Sequence, residues 1–197
     1  MRINRFKAKP LSRTILIASI GVILVLCLGI VAHANSLDTS TSLHPFTLTS
    51  PDFHDGGPLP QSSEFGVGFG CNGANKAPEL NWTGVPAGTK GFALSMTDYD
   101  APVLRGFHHW IVYNIPAGVR ELEGNHPYSE GTNDFGLTGY DGPCPPPDGQ
   151  LHHYVFRLYA LTVSHISGTA LTFDQLLTAI DSHFLGMTVI IGTFKRP

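Results

Sequence analysis

The chain has 197 residues, of which 42% are hydrophobic and 14% charged, enough to build one domain around a real core. So low a charged fraction excludes a coiled coil or a basic nucleic-acid binder, and 15 Pro with 22 Gly favour short strands and turns over a helical bundle. Five of the 12 Lys and Arg residues (Arg2, Arg5, Lys7, Lys9 and Arg13) lie in the first 34 positions, which hold no acid, so the rest of the chain is acidic and ill-suited to a polyanion.

The basic stretch is followed by an apolar run, Ile15–Val31, whose only polar side chain is Ser19, and then by Ala32-His33-Ala34. A basic flank, an apolar run and an Ala-x-Ala end describe a secretory signal over residues 1–34, cleaved after Ala34. The alternative is a membrane anchor over residues 14–34. Either reading exports the body, to the periplasm or the medium. Residues 35–44 are Ser/Thr-rich and read as a flexible linker, leaving one domain over 45–197.

Along that domain, Phe46–Thr49 alternates and reads as a short strand, and residues 55–73 read as loop. Pro78–Trp82 is a brief extended piece. Gly91–Met96 and His108–Ile115 are strong strand signals, and residues 124–149 are crowded with Gly, Pro, Asp and Asn. His152–Val163 is the longest strand signal. Thr172 followed by Gln175 is a capping box, and Phe173, Leu177, Ile180 and Phe184 are expected on one helix face, with Gly186 ending the helix. Met187–Phe194 reads as a last strand. This pattern predicts an antiparallel sandwich or open barrel. The exported body keeps two cysteines, Cys71 and Cys144, both in Gly- or Pro-rich loops. They are expected to form one disulfide closing a loop of about 70 residues, with a pair of free thiols as the alternative.

Three polar clusters fall at strand ends: Asp98-Tyr99-Asp100-Ala101-Pro102, His108-His109-Trp110, and Gly142-Pro143-Cys144-Pro145-Pro146-Pro147 with His152-His153-Tyr154 close behind. Side chains alternate along a strand, so one His of each pair faces a given side, and Asp98 and Asp100 share a face if the backbone there is extended. Each cluster taken alone also reads as a turn or a solvated strand start; their coincidence at strand ends points to a site. No Gly-x-Ser-x-Gly elbow is present, and Gly66–Gly70 lacks the Gly-Lys-Ser/Thr of a phosphate loop.

At these clusters the chain resembles the phosphatidylethanolamine-binding protein family, also called Raf kinase inhibitor-like proteins, in its bacterial exported branch. The matching blocks include Gly68–Gly73, Ala77–Trp82, Thr97–Pro102, His108–Pro116, Asn133–Gly136, Gly139–Pro146 and His152–Leu161. The resemblance implies a mainly β, Greek-key antiparallel β-sandwich with a C-terminal helix and short peripheral helices. It also implies a small anion pocket, phosphate- or headgroup-binding, walled by Asp98, Asp100, His109, Pro145, Pro146, His152 and Tyr154. Imidazole N–H and phenol O–H groups suit phosphate oxygens, and carboxylates hold the imidazoles. The chain departs from the family pattern at Tyr99, where Pro is usual between the aspartates, and at His153, where Arg is usual.

With no nucleophile–base pair evident, a binding role without cofactor or metal, on a small anionic ligand or as an inhibitor or modulator of a partner protein, is the leading expectation. A protein partner would be met by the loops 55–73 and 124–149. The alternative is a metal-assisted hydrolase using His109, His152, Asp98 and Asp100. Neither reading involves nucleic acid, and membrane contact follows only if residues 14–34 stay attached.

Overall fold

The structure, a computed structural model, describes residues 44–196; the signal segment and most of the linker lie outside the described residues. Nine strands and one α-helix follow in order: β1 (Thr47–Thr49), β2 (Gly57–Pro58), β3 (Leu80–Thr83), β4 (Gly91–Asp98), β5 (Phe107–Pro116), β6 (Glu121–Leu122), β7 (Ser129–Glu130), β8 (His152–Leu161), α1 (Phe173–Ile180) and β9 (Phe184–Phe194). Short 3₁₀ turns occupy Gln61–Ser63 and Asp181–His183. The described domain is therefore mainly β, with one short helix.

The strands form a three-stranded sheet in the order β1-β3-β6 and a six-stranded sheet in the order β2-β9-β8-β4-β5-β7. The sequence led us to expect antiparallel strands throughout, but the second sheet is mixed, because β2 runs parallel to β9. Gly56 N–H donates to the Ile191 carbonyl and Leu59 N–H to the Thr193 carbonyl. Gly192 leaves the space that the Leu59 side chain fills.

Apolar side chains on alternate positions of the large sheet divide between two cores. One face packs Phe92, Leu94, Met96, Trp110, Val112, Tyr154, Phe156 and Leu158 with Leu48, Leu80 and Trp82 of the small sheet. The other face packs Ala93, Ile111, Tyr113, Tyr159 and Leu161 under Leu176 and Ile180 of α1. The capping box forms: Gln175 N–H donates to Thr172 Oγ1, and Gln175 Oε1 accepts from Thr172 N–H. The helix is shorter than its apolar spacing predicted. It ends at Ile180, and Phe184 opens β9, paired with Leu161 and half exposed. Its buried stripe runs through Leu176 and Ile180, while Leu177 faces outward. The polar turn Asp181–His183 redirects the chain before Phe184 can continue that stripe.

Two irregularities break the β4–β5 ladder. In one, Met96 pairs with Trp110 while Thr97 pairs with His108, so His109 is an extra residue, a β-bulge. Strict alternation would send His109 to the helix side, opposite Trp110. The bulge returns it to the Trp110 side, where its ring meets Tyr154 at 5.2 Å. His108 turns the other way, within 2.9 Å of Thr97 Oγ1 and stacked on Phe173 at 4.0 Å.

Candidate functional site

At the Asp98 end of the large sheet a cavity of about 380 Å³ opens between β4, β5, β8 and three loops. Asp98, His109, His152, Tyr154, Pro145 and Pro146 line it. Six of the seven residues singled out from sequence are thus brought together. Asp100 is not among them. β4 ends at Asp98, and Asp100 N–H donates to Asp98 Oδ1, so the chain turns and carries the second carboxylate away. The extended backbone that would have put both aspartates on one face is absent at this point. Gly106 lets the returning loop pass against the Asp98 carbonyl, at a φ of 80°.

The polar wall is buried: Tyr154 is 0%, Asp98 and His109 3% and His152 4% exposed. Each buried polar group needs a partner, and most have one. His152 Nδ1 lies 2.7 Å from Asp98 Oδ2, so the imidazole N–H donates to the carboxylate. His109 Nδ1 lies 2.8 Å from the Asp141 carbonyl. A carbonyl only accepts, so Nδ1 carries the proton. Burial pulls the His109 ring down to about 4, outweighing the Asp141 and Gly142 carbonyls and the Asp98 and Asp134 carboxylates, all of which favour its cation. Tyr154 Oη makes no well-formed hydrogen bond; the polar group beside it is the Asp98 carboxylate, to which it is a weak donor. Burial and the adjacent Asp98 carboxylate push its phenol well above the ordinary value, so it stays protonated. Of the buried polar atoms without a well-formed hydrogen bond among the described residues, Tyr154 Oη is the one belonging to this cavity.

The loops supply an apolar wall that the sequence reading did not assign to the site. Phe69, Val103, Phe107 and Phe135 line the cavity, as does Asp134. Phe135 stacks on Phe65 at 4.7 Å and meets Phe107 edge-on at 4.7 Å. Asp134 Oδ2 accepts from His108 N–H, which places its loop against β5. Asn133 and Asn75 hold the Asp141 carboxylate, which burial pushes above the usual range against those hydrogen bonds. This network seats the carbonyl on which His109 depends.

The expected disulfide is formed: Cys71 and Cys144 are bonded, with Cα atoms 6.0 Å apart, and Cys144 lines the cavity. It ties the Phe69 loop to the Pro-rich loop. Arg196 adds a second tie, donating through Nε to the Pro145 carbonyl at 2.6 Å.

Both departures from the family pattern have partners. Asp100 accepts from His153 N–H at 2.7 Å and from its Nδ1 at 2.8 Å. Burial opposes ionisation of Asp100, yet these bonds hold its carboxyl below the usual value. Tyr99 lies under the Arg157 guanidinium, 4.8 Å from ring centre to Cζ, and its hydroxyl accepts from Nη1. The arrangement does not assemble the metal set weighed from sequence. His152 is turned onto Asp98, Asp100 belongs to His153, and among the described residues no group of three His, Cys, Asp or Glu side chains is placed to hold a metal ion.

The model of the family described as phosphatidylethanolamine-binding protein matches residues 49–195. The UPF0098 protein YbcL of Escherichia coli is 43% identical over 131 residues, 61% of this chain and 71% of that protein. Its crystal structure, titled as a new member of the mammalian PEBP family, superposes with a TM-score of 0.73, covering 78% of this chain and 100% of that one. The structure of a phosphatidylethanolamine-binding protein homolog, CT736 of Chlamydia trachomatis, gives 0.69 at 35% identity, covering 77% and 98%. A Mycobacterium tuberculosis protein with the provisional designation lipoprotein LppC is 38% identical over 172 residues, 84% of this chain and 81% of that one.

Proposed function

Because the chain belongs to the phosphatidylethanolamine-binding protein family, we propose that it is an exported small-ligand-binding protein whose cavity takes an oxyanion, phosphate- or headgroup-like. The observation that carries this reading is Tyr154, a buried phenol on the cavity wall whose hydroxyl lies beside the Asp98 carboxylate without a well-formed hydrogen bond. Leaving such a donor unmade costs about 1–3 kcal/mol, and a ligand oxygen would recover that. The apolar rings of Phe69, Phe107 and Phe135 suit the rest of such a ligand. Asp98, His109, Pro145, Pro146, His152 and Tyr154 are the proposed contacts; Asp100 is turned away from the cavity onto His153.

Export rests on the basic flank, the apolar run and Ala32-His33-Ala34. It is supported by the lipoprotein designation of the mycobacterial relative and by a disulfide that suits an oxidising compartment. Our reading of the two sheets is the Greek-key sandwich that the resemblance implies. Modulation of a partner protein through the loops 55–73 and 124–149 is our second reading, favoured by the exposure of Val67 and Phe69 in the first of them.

The test is an NMR titration of the full chain with inorganic phosphate and with phosphoethanolamine, following the His109 and His152 ring signals. Both should move together and saturate, and Tyr154→Phe should weaken binding by roughly tenfold or more. Ring signals that stay still at millimolar ligand would overturn the reading.

A further inference from the structure

We propose that Asn72 is a modification site, where the side-chain amide is converted to aspartate and isoaspartate, and that the Cys71–Cys144 disulfide decides when this happens. The reactive unit is Asn72-Gly73, and its chemistry needs only water. The Gly73 nitrogen, its proton lost to solvent base, attacks Asn72 Cγ. A new N–C bond forms, the amide C–N bond breaks and ammonia leaves. Water then opens the resulting succinimide at either carbonyl, giving aspartate or an isoaspartyl link.

Such a ring closes most readily where glycine follows, because glycine has no Cβ to obstruct the attack. The chain has four steps of this kind: Asp55-Gly56, Asn72-Gly73, Asp141-Gly142 and Asp148-Gly149. Reaction needs a side chain free to be attacked and a nitrogen free to attack. In three of the steps the side chain is held. Asp55 Oδ1 accepts from Ile191 N–H, the Asp141 carboxylate from Asn133 and Asn75, and Asp148 Oδ1 from Gln150 N–H. Asn72 is exposed, and its amide makes no hydrogen bond among the described residues. An amide is also a better electrophile than an ionised carboxylate.

What restrains Asn72 is therefore the nitrogen that follows it. Gly73 N–H donates to the Phe65 carbonyl at 2.8 Å. While that bond stands, the nitrogen keeps its proton and cannot swing onto Cγ. The bond belongs to a small hairpin, in which Cys71 N–H donates to the Gly68 carbonyl and Asn75 N–H to the Glu64 carbonyl. Two ties hold the hairpin to the Pro-rich loop: Phe65 N–H on the Pro143 carbonyl at 3.0 Å, and the disulfide, one residue from Asn72. With the covalent tie gone, the hairpin opens locally at a lower free energy than the whole fold, and the exposed step reacts. Glycine is required at 73, since a Cβ there would run into the Glu64 carbonyl oxygen. The fold thus demands the residue that makes Asn72 vulnerable and supplies the lock that protects it. The change is one-way, because an isoaspartyl link lengthens the backbone and takes Gly73 out of register with Phe65.

The experiment is incubation of the full chain in mildly alkaline buffer, with and without dithiothreitol, followed by peptide mass spectrometry for conversion of each asparagine. Asn72 should convert about tenfold or more faster in the reduced protein. The double variant Cys71→Ser with Cys144→Ser should match that rate without any thiol reagent. Phe92→Ala, which weakens the far end of the sheet but keeps the disulfide, should retain the slow rate at temperatures where it is folded. The oxidised chain in urea should react as fast as a free peptide of the same sequence, because the lock is the Gly73 pairing that the disulfide holds in place. Equal rates with the bond intact and opened, a Phe92→Ala rate as fast as the reduced protein's, or slow conversion in urea would each overturn the proposal. So would earlier conversion of any other asparagine in the reduced protein.

Discussion

The two ends of the large sheet are built from the same three strands and do opposite things with buried surface. At the Gly91–Leu161 end, Phe92, Ala93, Ile115 and Leu161 are buried, and Gly91 packs against the Val163 carbonyl. These buried side chains are apolar, and the Trp82 ring meets Phe92 edge-on at 5.5 Å with its indole N–H left without a partner among the described residues. At the Asp98–His152 end, the buried groups are Thr97, Asp98, His108, His109 and His152. Each draws a hydrogen bond from a loop or a neighbouring strand. That requirement, more than any shape in the apolar core, arranges the loops around an opening. Burial of apolar area sets stability in proportion to surface, whereas burial of polar groups sets geometry, because each partner has a direction.

The comparison breaks most visibly if the apolar end is damaged. Phe92→Ala should cost about 3–5 kcal/mol in a urea unfolding experiment, while the protein that remains folded keeps its affinity for phosphate. Loss of affinity in that folded fraction would show that the two ends are not independent. Next comes the disulfide. Its 73-residue separation makes its loss in Cys71→Ser worth about 4 kcal/mol on chain-entropy grounds. This change should also weaken ligand binding, because Cys144 and Phe69 both line the cavity.

The third effect depends on pH. His109 has a folded value of about 4 against 6.5 in an open chain. Below 6.5 the unfolded state takes up the proton that the folded ring refuses, so stability falls as pH drops from 6.5 towards 4. The loss is on the order of 3 kcal/mol when complete. Unfolding curves at pH 7 and pH 4 should show it in the parent protein and show that contribution missing in His109→Gln. Tyr154→Phe is expected to change stability by less than about 1 kcal/mol, since the hydroxyl makes only a weak bond to Asp98, whose loss is offset by the relief of no longer burying it, while affecting binding more than stability. Smallest of all, Asp100→Asn breaks a pair in which both side chains are over two-fifths exposed. It should cost well under about 1 kcal/mol and leave phosphate affinity unchanged.

Much of this architecture is legible in the residues. Gly91–Met96, His108–Ile115 and the run from His152 show as strands because β-branched, aromatic and apolar residues cluster there between turn signals. Thr172 and Gln175 mark the helix start through a chemistry confined to four positions. The pairing of Cys71 and Cys144 was readable because they are the two cysteines of residues 45–197. What escaped was non-local or very short. β2, β6 and β7 have two residues each, too few for any periodicity to show. The parallel contact of β2 with β9 depends on space at Gly192, more than 130 positions away. Phe69, Asp134 and Phe135 reach the cavity because loops are folded back by the disulfide, by Asn133 and by Asp134 itself. Asp98 and His152 were readable as site residues, but the exit of Asp100 was not, since it follows from an Asx turn that the Asp-x-Asp spacing does not specify.

The bulge in β5 has a consequence for how this site changes over time. His108 and His109 are chemically identical neighbours, and only the count of backbone positions between Trp110 and Phe107 decides which one looks into the cavity. A one-residue deletion there would leave a histidine beside the tryptophan, so the written motif would survive intact. The surviving ring would nonetheless point under the helix, and the cavity would lose its acceptor. For this protein, length is a coding variable as strict as residue type, and a relative that keeps every site letter but not that spacing has a different site.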